Sequence, residues 1–265
     1  MEQYLLAMAG SLGAICILVV LALLLDSAIN IGDSVYPSSL QMAVLFLKLF
    51  LAPLLKGSAW KSLVREEKPE LQTEHLSRLV KFIPDTKHMQ KFVKVCHLEE
   101  KSDEIPFIYP ATVFIYPTVC IMGSMAYPFP AIGSVHVYNT TKLFRKLHTN
   151  ETFRCAIEPN KTIVPAKKGS EIEFLSTLVD DKNETVWTNS SVFIVLHSQR
   201  KNVSDGSVTW AEVADADLEL LKEEDWKLSG NASVEYANVS KDFNPIHMSS
   251  IAAKLFGFPG EYRDI

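Results

Sequence analysis

Six consecutive residues, Asp242-Phe243-Asn244-Pro245-Ile246-His247, place an acid, an amide and an imidazole within one short stretch. Pro245 fixes its own φ and pushes Asn244 towards extended geometry, so the segment is a stiff bend that can hold three polar side chains in one relation. An Asp and a His held this way can share a water and move protons. Adding or removing water across a double bond needs that capability. Asp242 and His247 are therefore the candidate acid/base pair, with Asn244 orienting the water or bracing the loop. The alternative is a turn ahead of a short helix over Ser249 to Phe256, with Asp242 as a loop residue.

Other chemistry is less well founded. His136 sits on an alternating stretch and reads as a packed or surface residue. Ser190, Ser191 and His197 have no nucleophile-elbow context. The cysteines are Cys16, Cys96, Cys120 and Cys155, with no CxxC and no paired histidine spacing, so neither a zinc site nor a disulfide framework is expected. No Gly-rich phosphate loop is present, and a net charge of -5 offers nothing to a nucleic acid. The acidic run Asp215 to Asp225 reads as a solvated helix face.

The elements that must position the motif follow from periodicity. Pro84 to Val95 carries Met89, Phe92, Val93 and Cys96 at helical spacing. The apolar stretch Pro106 to Ser124, interrupted by Pro110 and Pro117, reads as a buried segment, since two prolines and the embedded Tyr109 and Tyr116 suit a core better than a bilayer. Phe129 to Tyr138 opens a strand-rich region. Further strands are expected at Phe153–Ile157, Glu171–Val179, Thr185–Leu196 and Ser207–Ala211, with a hairpin turn at Asp180. Several strands after one buried helical segment give an α+β fold, an antiparallel sheet wrapped around a helix.

The N-terminal region is different. Tyr4 to Leu25 is an uncharged run of 22 residues, long enough to cross a bilayer as a transmembrane helix and lacking a basic leader. It predicts a single-pass membrane anchor. Leu40 to Leu55, interrupted by Lys48 and Pro53, reads as a helix lying at the interface or packed on the domain. The charged stretch Lys61 to Glu74 reads as a solvated helix or linker. Lysines after the anchor weakly favour a cytosolic domain. Asn-x-Ser/Thr sequons at Asn139, Asn150, Asn160, Asn183, Asn189, Asn202, Asn231 and Asn238 favour a glycosylated, lumenal one.

The segment Tyr236 to Pro259, with its Asp-x-Asn-Pro-Ile-His core, Ser240 and the Ala-Ala-x-x-Phe-Gly-Phe run, resembles the active-site motif of MaoC-like dehydratases and (R)-specific enoyl-CoA hydratases. Pro84 to His97, Pro106-Phe-Ile-Tyr-Pro110 and Tyr127-Pro-Phe-Pro130-Ala-Ile-Gly133-Ser-Val-His136 look like the N-terminal half of the double hot-dog members. Lys241 stands where a small residue, often Gly, is common. The apolar and charged runs divide the N-terminal region into a membrane anchor over 1–30 and an amphipathic helix and linker over 31–83, and the resemblance implies a complete hot-dog unit over 84–212 and, over 226–265, the start of a second unit that is truncated at its C-terminal side. It further implies Asp242, His247 and Asn244 as catalytic residues, and an acyl-CoA or acyl-carrier thioester as substrate. No metal or cofactor is implied, and a homodimer is allowed. Two classes of function stay open: a membrane-anchored enoyl-thioester hydratase or 3-hydroxyacyl dehydratase of fatty-acid metabolism, and a catalytically inactive binding or dimerisation module.

Overall fold

The computed structural model describes residues 35–197 and 230–244, apart from 59, 67, 100 and 102, together with 251 and 254. Helix α1 (Ser39–Lys56) starts at a capping box, in which the Ser38 side chain accepts from the Gln41 N–H and the Gln41 side chain accepts from the Ser38 N–H. A short helix α2 (Trp60–Leu63) and strand β1 (Arg78–Phe82) follow. Helix α3 (Thr86–Val95) is capped by Asp85, which accepts from the His88 N–H, and it buries Met89, Phe92 and Val93 as the periodicity predicts.

The apolar stretch forms one helix, α4 (Tyr109–Met122), buried on nearly every side. Neither proline breaks it. Pro110 lies in the first turn, where no intrahelical N–H is required. Pro117 lies inside the helix and removes one main-chain donor, while the Thr118 hydroxyl donates to the Phe114 carbonyl at 2.8 Å.

Strands β2 (Ser134–Leu143), β3 (Phe153–Pro159), β4 (Val164–Ala166), β5 (Gly169–Val179) and β6 (Thr185–Leu196) complete an antiparallel sheet with β1, in the order β1-β3-β5-β6-β2, with β4 on β5. The turn at Asp180 joins β5 to β6, as expected. Asp180 Oδ1 accepts from the Lys182 and Glu184 N–H groups, and Asn183 takes the positive φ the turn needs. Strand β2 begins at Ser134 rather than Phe129, because Phe129 is fully buried against Trp60 and Tyr127. Strand β1 falls in a stretch to which the sequence pattern gave no element. The charged stretch begins in α2 and then bridges Glu70 to Thr162. The strand expected at Ser207–Ala211 lies outside the described residues.

The core sits between α4 and the inward face of the sheet. Phe153, Cys155 and Ile157 on β3 alternate with exposed neighbours, and Phe114 of α4 meets Phe82 of β1 and Trp187 of β6 edge-on at 5.5 and 5.7 Å. The Trp187 indole donates to the Phe107 carbonyl at 2.7 Å, which satisfies its N–H inside the core. This is the expected sheet around a helix, with a hot-dog topology.

The expectation of a single-pass membrane protein with a lumenal domain is corrected. Among the described residues no helix is long and apolar enough to cross a membrane. The run Tyr4–Leu25 itself lies outside the described residues. The second apolar stretch, α1, packs on the domain: Met42, Val44, Leu45 and Leu51 are buried, and the Lys56 ammonium donates to the carbonyls of Met122 and Phe129. Burial, with Lys48 nearby, pulls Lys56 down to about 8. The sequons also read differently. Asn189 is only 4% exposed, and its amide donates to Asn139 Oδ1 at 2.7 Å and to Thr141 Oγ1 at 3.0 Å, so it belongs to an Asn/Ser/Thr-rich strand pair.

Because Phe114 joins the helix to both sides of the sheet, Phe114→Ala should destabilise the fold by about 3–5 kcal/mol in urea titration. Phe50→Ala, at an exposed position of α1, should change stability by about 0.5 kcal/mol or less.

Candidate active site

Only part of the motif lies among the described residues. Helix α5 (Ala232–Ser240) leads into it, and its packed residues are Ala237, Val239 and Ser240. The helix ends on Lys241, whose φ of 61° is left-handed. Glycine is usual at such a cap, and a side chain there costs about 1–2 kcal/mol. Two bonds offset this: the Lys241 N–H donates to the Ala237 carbonyl at 2.9 Å, and the Lys241 ammonium donates to the Asn238 carbonyl at 2.7 Å. The left-handed residue turns the chain sharply, and Asp242 follows directly.

Asp242 is half-buried and lies between two anchors. On one side its N–H donates to the Ser240 hydroxyl, and Ser240 is 1% exposed. On the other, the Phe243 ring meets Phe46 of α1 edge-on at 6.1 Å and packs beside Leu45, Tyr116 and Cys120. Asp242 Oδ1 accepts from the Asn244 N–H at 3.2 Å, an Asx turn that ties the first two polar residues of the motif together. The bend expected from the sequence therefore forms at Asp242 and Asn244. Pro245 and His247 lie outside the described residues.

Helix α5 is positioned by α3 and α4. The Tyr236 hydroxyl is 3.3 Å from Thr112 Oγ1 on α4. Burial raises the Tyr236 phenol above its ordinary range; the Thr112 bond opposes this, and the Cys96 thiol and Asp242 carboxylate add to it. The phenol and the Cys96 thiol both stay neutral, since burial raises Cys96 as well. On the α3 side, His88 Nε2 is 2.9 Å from the Val239 carbonyl and Nδ1 is 2.8 Å from the Tyr109 hydroxyl. Sequence reasoning missed His88, although it lies one turn before Phe92 on the inward face that the periodicity marks. Tyr109 was expected to be buried, but not to hold a polar partner.

His136 is exposed on β2 and stacks on Phe193 at 4.8 Å, away from this cluster. His197 is 2.9 Å from the Ser170 hydroxyl and edge-on to Trp60. Among the described residues no three of His, Cys, Asp and Glu converge as a metal site. The arrangement offers a half-buried carboxylate, fixed by an Asx turn and within electrostatic reach of the neutral Tyr236 phenol, which suits proton transfer.

Known proteins resemble this chain in sequence and in fold. The sequence model of the MaoC like domain matches residues 213–261. The 3-hydroxyacyl-thioester dehydratase X of Mycobacterium tuberculosis is 26% identical over 167 residues, covering 60% of this chain and 54% of its own length. The chain thus spans about half the length of that curated relative. The crystal structure of HtdX from the same organism superposes with a TM-score of 0.54 at 21% identity, over 69% of this chain and 68% of that one. A MaoC-like dehydratase from Phytophthora capsici gives 0.50 at 16%, over 72% and 68%. The last two likenesses show the fold.

Removing the Tyr236 hydroxyl leaves a buried Thr112 oxygen without that partner. Tyr236→Phe should destabilise the chain by about 1–2 kcal/mol in urea titration. The double variant with Thr112→Val should lose less than the sum of the two single changes.

Proposed function

We propose that this chain, whose residues 213–261 match the MaoC like domain and which is similar to a 3-hydroxyacyl-thioester dehydratase, is a MaoC-like dehydratase that interconverts trans-2-enoyl and 3-hydroxyacyl thioesters by adding or removing water. The observation that carries this reading is Asp242, presented half-buried at the end of α5, joined to Asn244 by an Asx turn and three positions before Pro245 and five before His247. This is the region that the family's sequence model matches.

In the hydration direction a base removes a proton from water as its oxygen bonds to Cβ. The C=C electron pair moves towards the thioester carbonyl, and an acid returns a proton to Cα. Asp242 and His247 supply the base and the acid, and Asn244 orients the water. Dehydration is the reverse: Cα loses a proton and the Cβ hydroxyl leaves as water. The substrate is an acyl-CoA or acyl-carrier thioester. Neither proton step requires a metal or prosthetic group, since a paired acid and base suffice. The transient enolate oxygen needs a donor such as a backbone N–H.

An exposed apolar edge supports a second hot-dog unit or a homodimer. Val137, Tyr138 and Leu143 lie on edge strand β2, with Phe144 next to them, and all are exposed. A long edge of this kind is a template for pairing with another sheet.

The test is turnover of crotonyl-CoA and of a medium-chain enoyl-CoA by the full chain. Asp242→Asn and His247→Ala should each lower kcat by about 100-fold or more, while His136→Ala should leave it unchanged. Equal turnover in all three variants would assign the chemistry elsewhere. Absence of turnover in the parent chain would favour a non-catalytic module.

A further inference from the structure

A hydrogen-bonded chain of side chains runs from the segment before α1 to the end of α5. The Asp85 N–H donates to the Tyr36 hydroxyl at 3.1 Å, the Tyr36 and Tyr109 hydroxyls are 3.1 Å apart, and the Tyr109 hydroxyl is 2.8 Å from His88 Nδ1. His88 Nε2 ends the chain at the Val239 carbonyl, 2.9 Å away. A carbonyl only accepts, so Nε2 carries hydrogen. In the neutral ring Nδ1 then accepts, which makes Tyr109 its donor and Tyr36 the donor to Tyr109. Every proton in the series is directed by its two ends. Val239 lies three residues before Asp242, in the turn that closes α5.

We propose that His88 is a positioning residue for the acid/base loop: as the neutral Nε2–H tautomer it fixes the end of α5, and with it Asp242, against α3 and α4, and protonation of the ring releases that hold. This rests on the reading of Asp242 given above. Protonation makes Nδ1 a donor to Tyr109, so the Tyr109 and Tyr36 hydroxyls must both reverse, and although Nε2 still donates to Val239, the charge now sits on a ring that docking of α5 buries. It also places a third cation beside Lys91 and Lys241.

The groups that face the ring are Asp85 and Lys91 on its own helix, Lys241 from the end of α5, Tyr109 from α4 and Tyr36 from the N-terminal segment. Burial is the largest influence and holds the imidazole below its ordinary range. The Val239 carbonyl and Asp85 oppose it, and Lys241 and Lys91 add to it. The sign follows from linkage. With the folded pKa below the unfolded one, the undocked state binds more protons across that window. The hold is therefore complete above the ordinary imidazole range and weakens as pH falls through the folded value.

The experiment compares the full chain with His88→Gln and His88→Leu. Glutamine can donate to Val239 and accept from Tyr109 without titrating, whereas leucine can do neither. Hydrogen exchange of the Lys241 and Asp242 amides, corrected for intrinsic rates, is read at about pH 5 and about pH 7.5. The parent should lose protection about tenfold or more on acidification, His88→Gln should be protected equally at both, and His88→Leu should be unprotected at both. Crotonyl-CoA turnover should follow: His88→Gln keeps kcat within about threefold and loses the acid-side decline, and His88→Leu loses about tenfold in kcat with KM unchanged. The same pH dependence in the parent and in His88→Gln, or parent-like protection in His88→Leu, overturns the proposal. If Asp242→Asn retains turnover, or the parent has none, the assignment of Asp242 falls, and the exchange data alone decide whether His88 holds the loop.

Discussion

Helix α4 is apolar around its whole circumference, and the rest of the fold follows from the need to cover it. A helix of this kind has no face to offer water. The sheet covers one side, where Phe114 meets Phe82 and Trp187. Helix α1 covers another. It approaches so closely at Gly123 that a Cβ there would lie 3.3 Å from the Leu49 side chain. Helix α3 covers the Tyr109 end through Phe92, with ring centroids 5.3 Å apart. That leaves the strip around Thr112, which α5 covers through Tyr236 and Ala237. The motif-bearing helix therefore completes the cover of α4, where Thr112 lies 124 positions before its partner Tyr236.

Covering α4 with short helices leaves polar groups at their contacts, and those groups set the geometry of the site. Tyr109 and Thr112 are buried in α4 and carry hydroxyls that need partners. His88 and Tyr236 supply them, one from α3 and one from α5. Apolar packing alone is tolerant of small rotations. The two polar contacts restrict α5 to one rotation and one depth, and the left-handed Lys241 then sends the chain back over α4 towards α1, where Phe243 is seated. Asp242 lies between these fixed points, which is how a loop residue acquires the constancy that proton transfer requires.

Much of this was legible in the sequence where burial is periodic. Met89, Phe92 and Val93 marked α3, the apolar run with Tyr109 and Tyr116 marked the buried helix, and the residues after Asp180 marked the hairpin. The bend at Asp242 and Asn244 was legible because Pro245 restricts its own φ and the residue before it, whereas the Asx turn that closes it was not. What depends on distant partners was not. Strand β1 contains Arg78 and Lys81 and becomes a strand only by pairing with β3, from Arg78 opposite Ile157 to Phe82 opposite Phe153. Phe129 looked like the start of a strand but is drawn into the core by Trp60 and Tyr127. His88 was not singled out, and its two partners are 21 and 151 residues away. The apolarity of Leu40 to Leu55 left a membrane interface and packing on the domain both open, and its partner is α4.

The central claim is that the motif-bearing helix docks on the hot-dog unit within the same chain, and nuclear Overhauser contacts measure this most directly. In the full chain the account predicts contacts from the Tyr236 ring to the Thr112 methyl group, from the His88 ring to residues of the Val239 turn, and from the Phe243 ring to Phe46. Absence of all three, with chemical shifts of 232–240 at unfolded-chain values while Phe114 and Trp187 keep theirs, would contradict it.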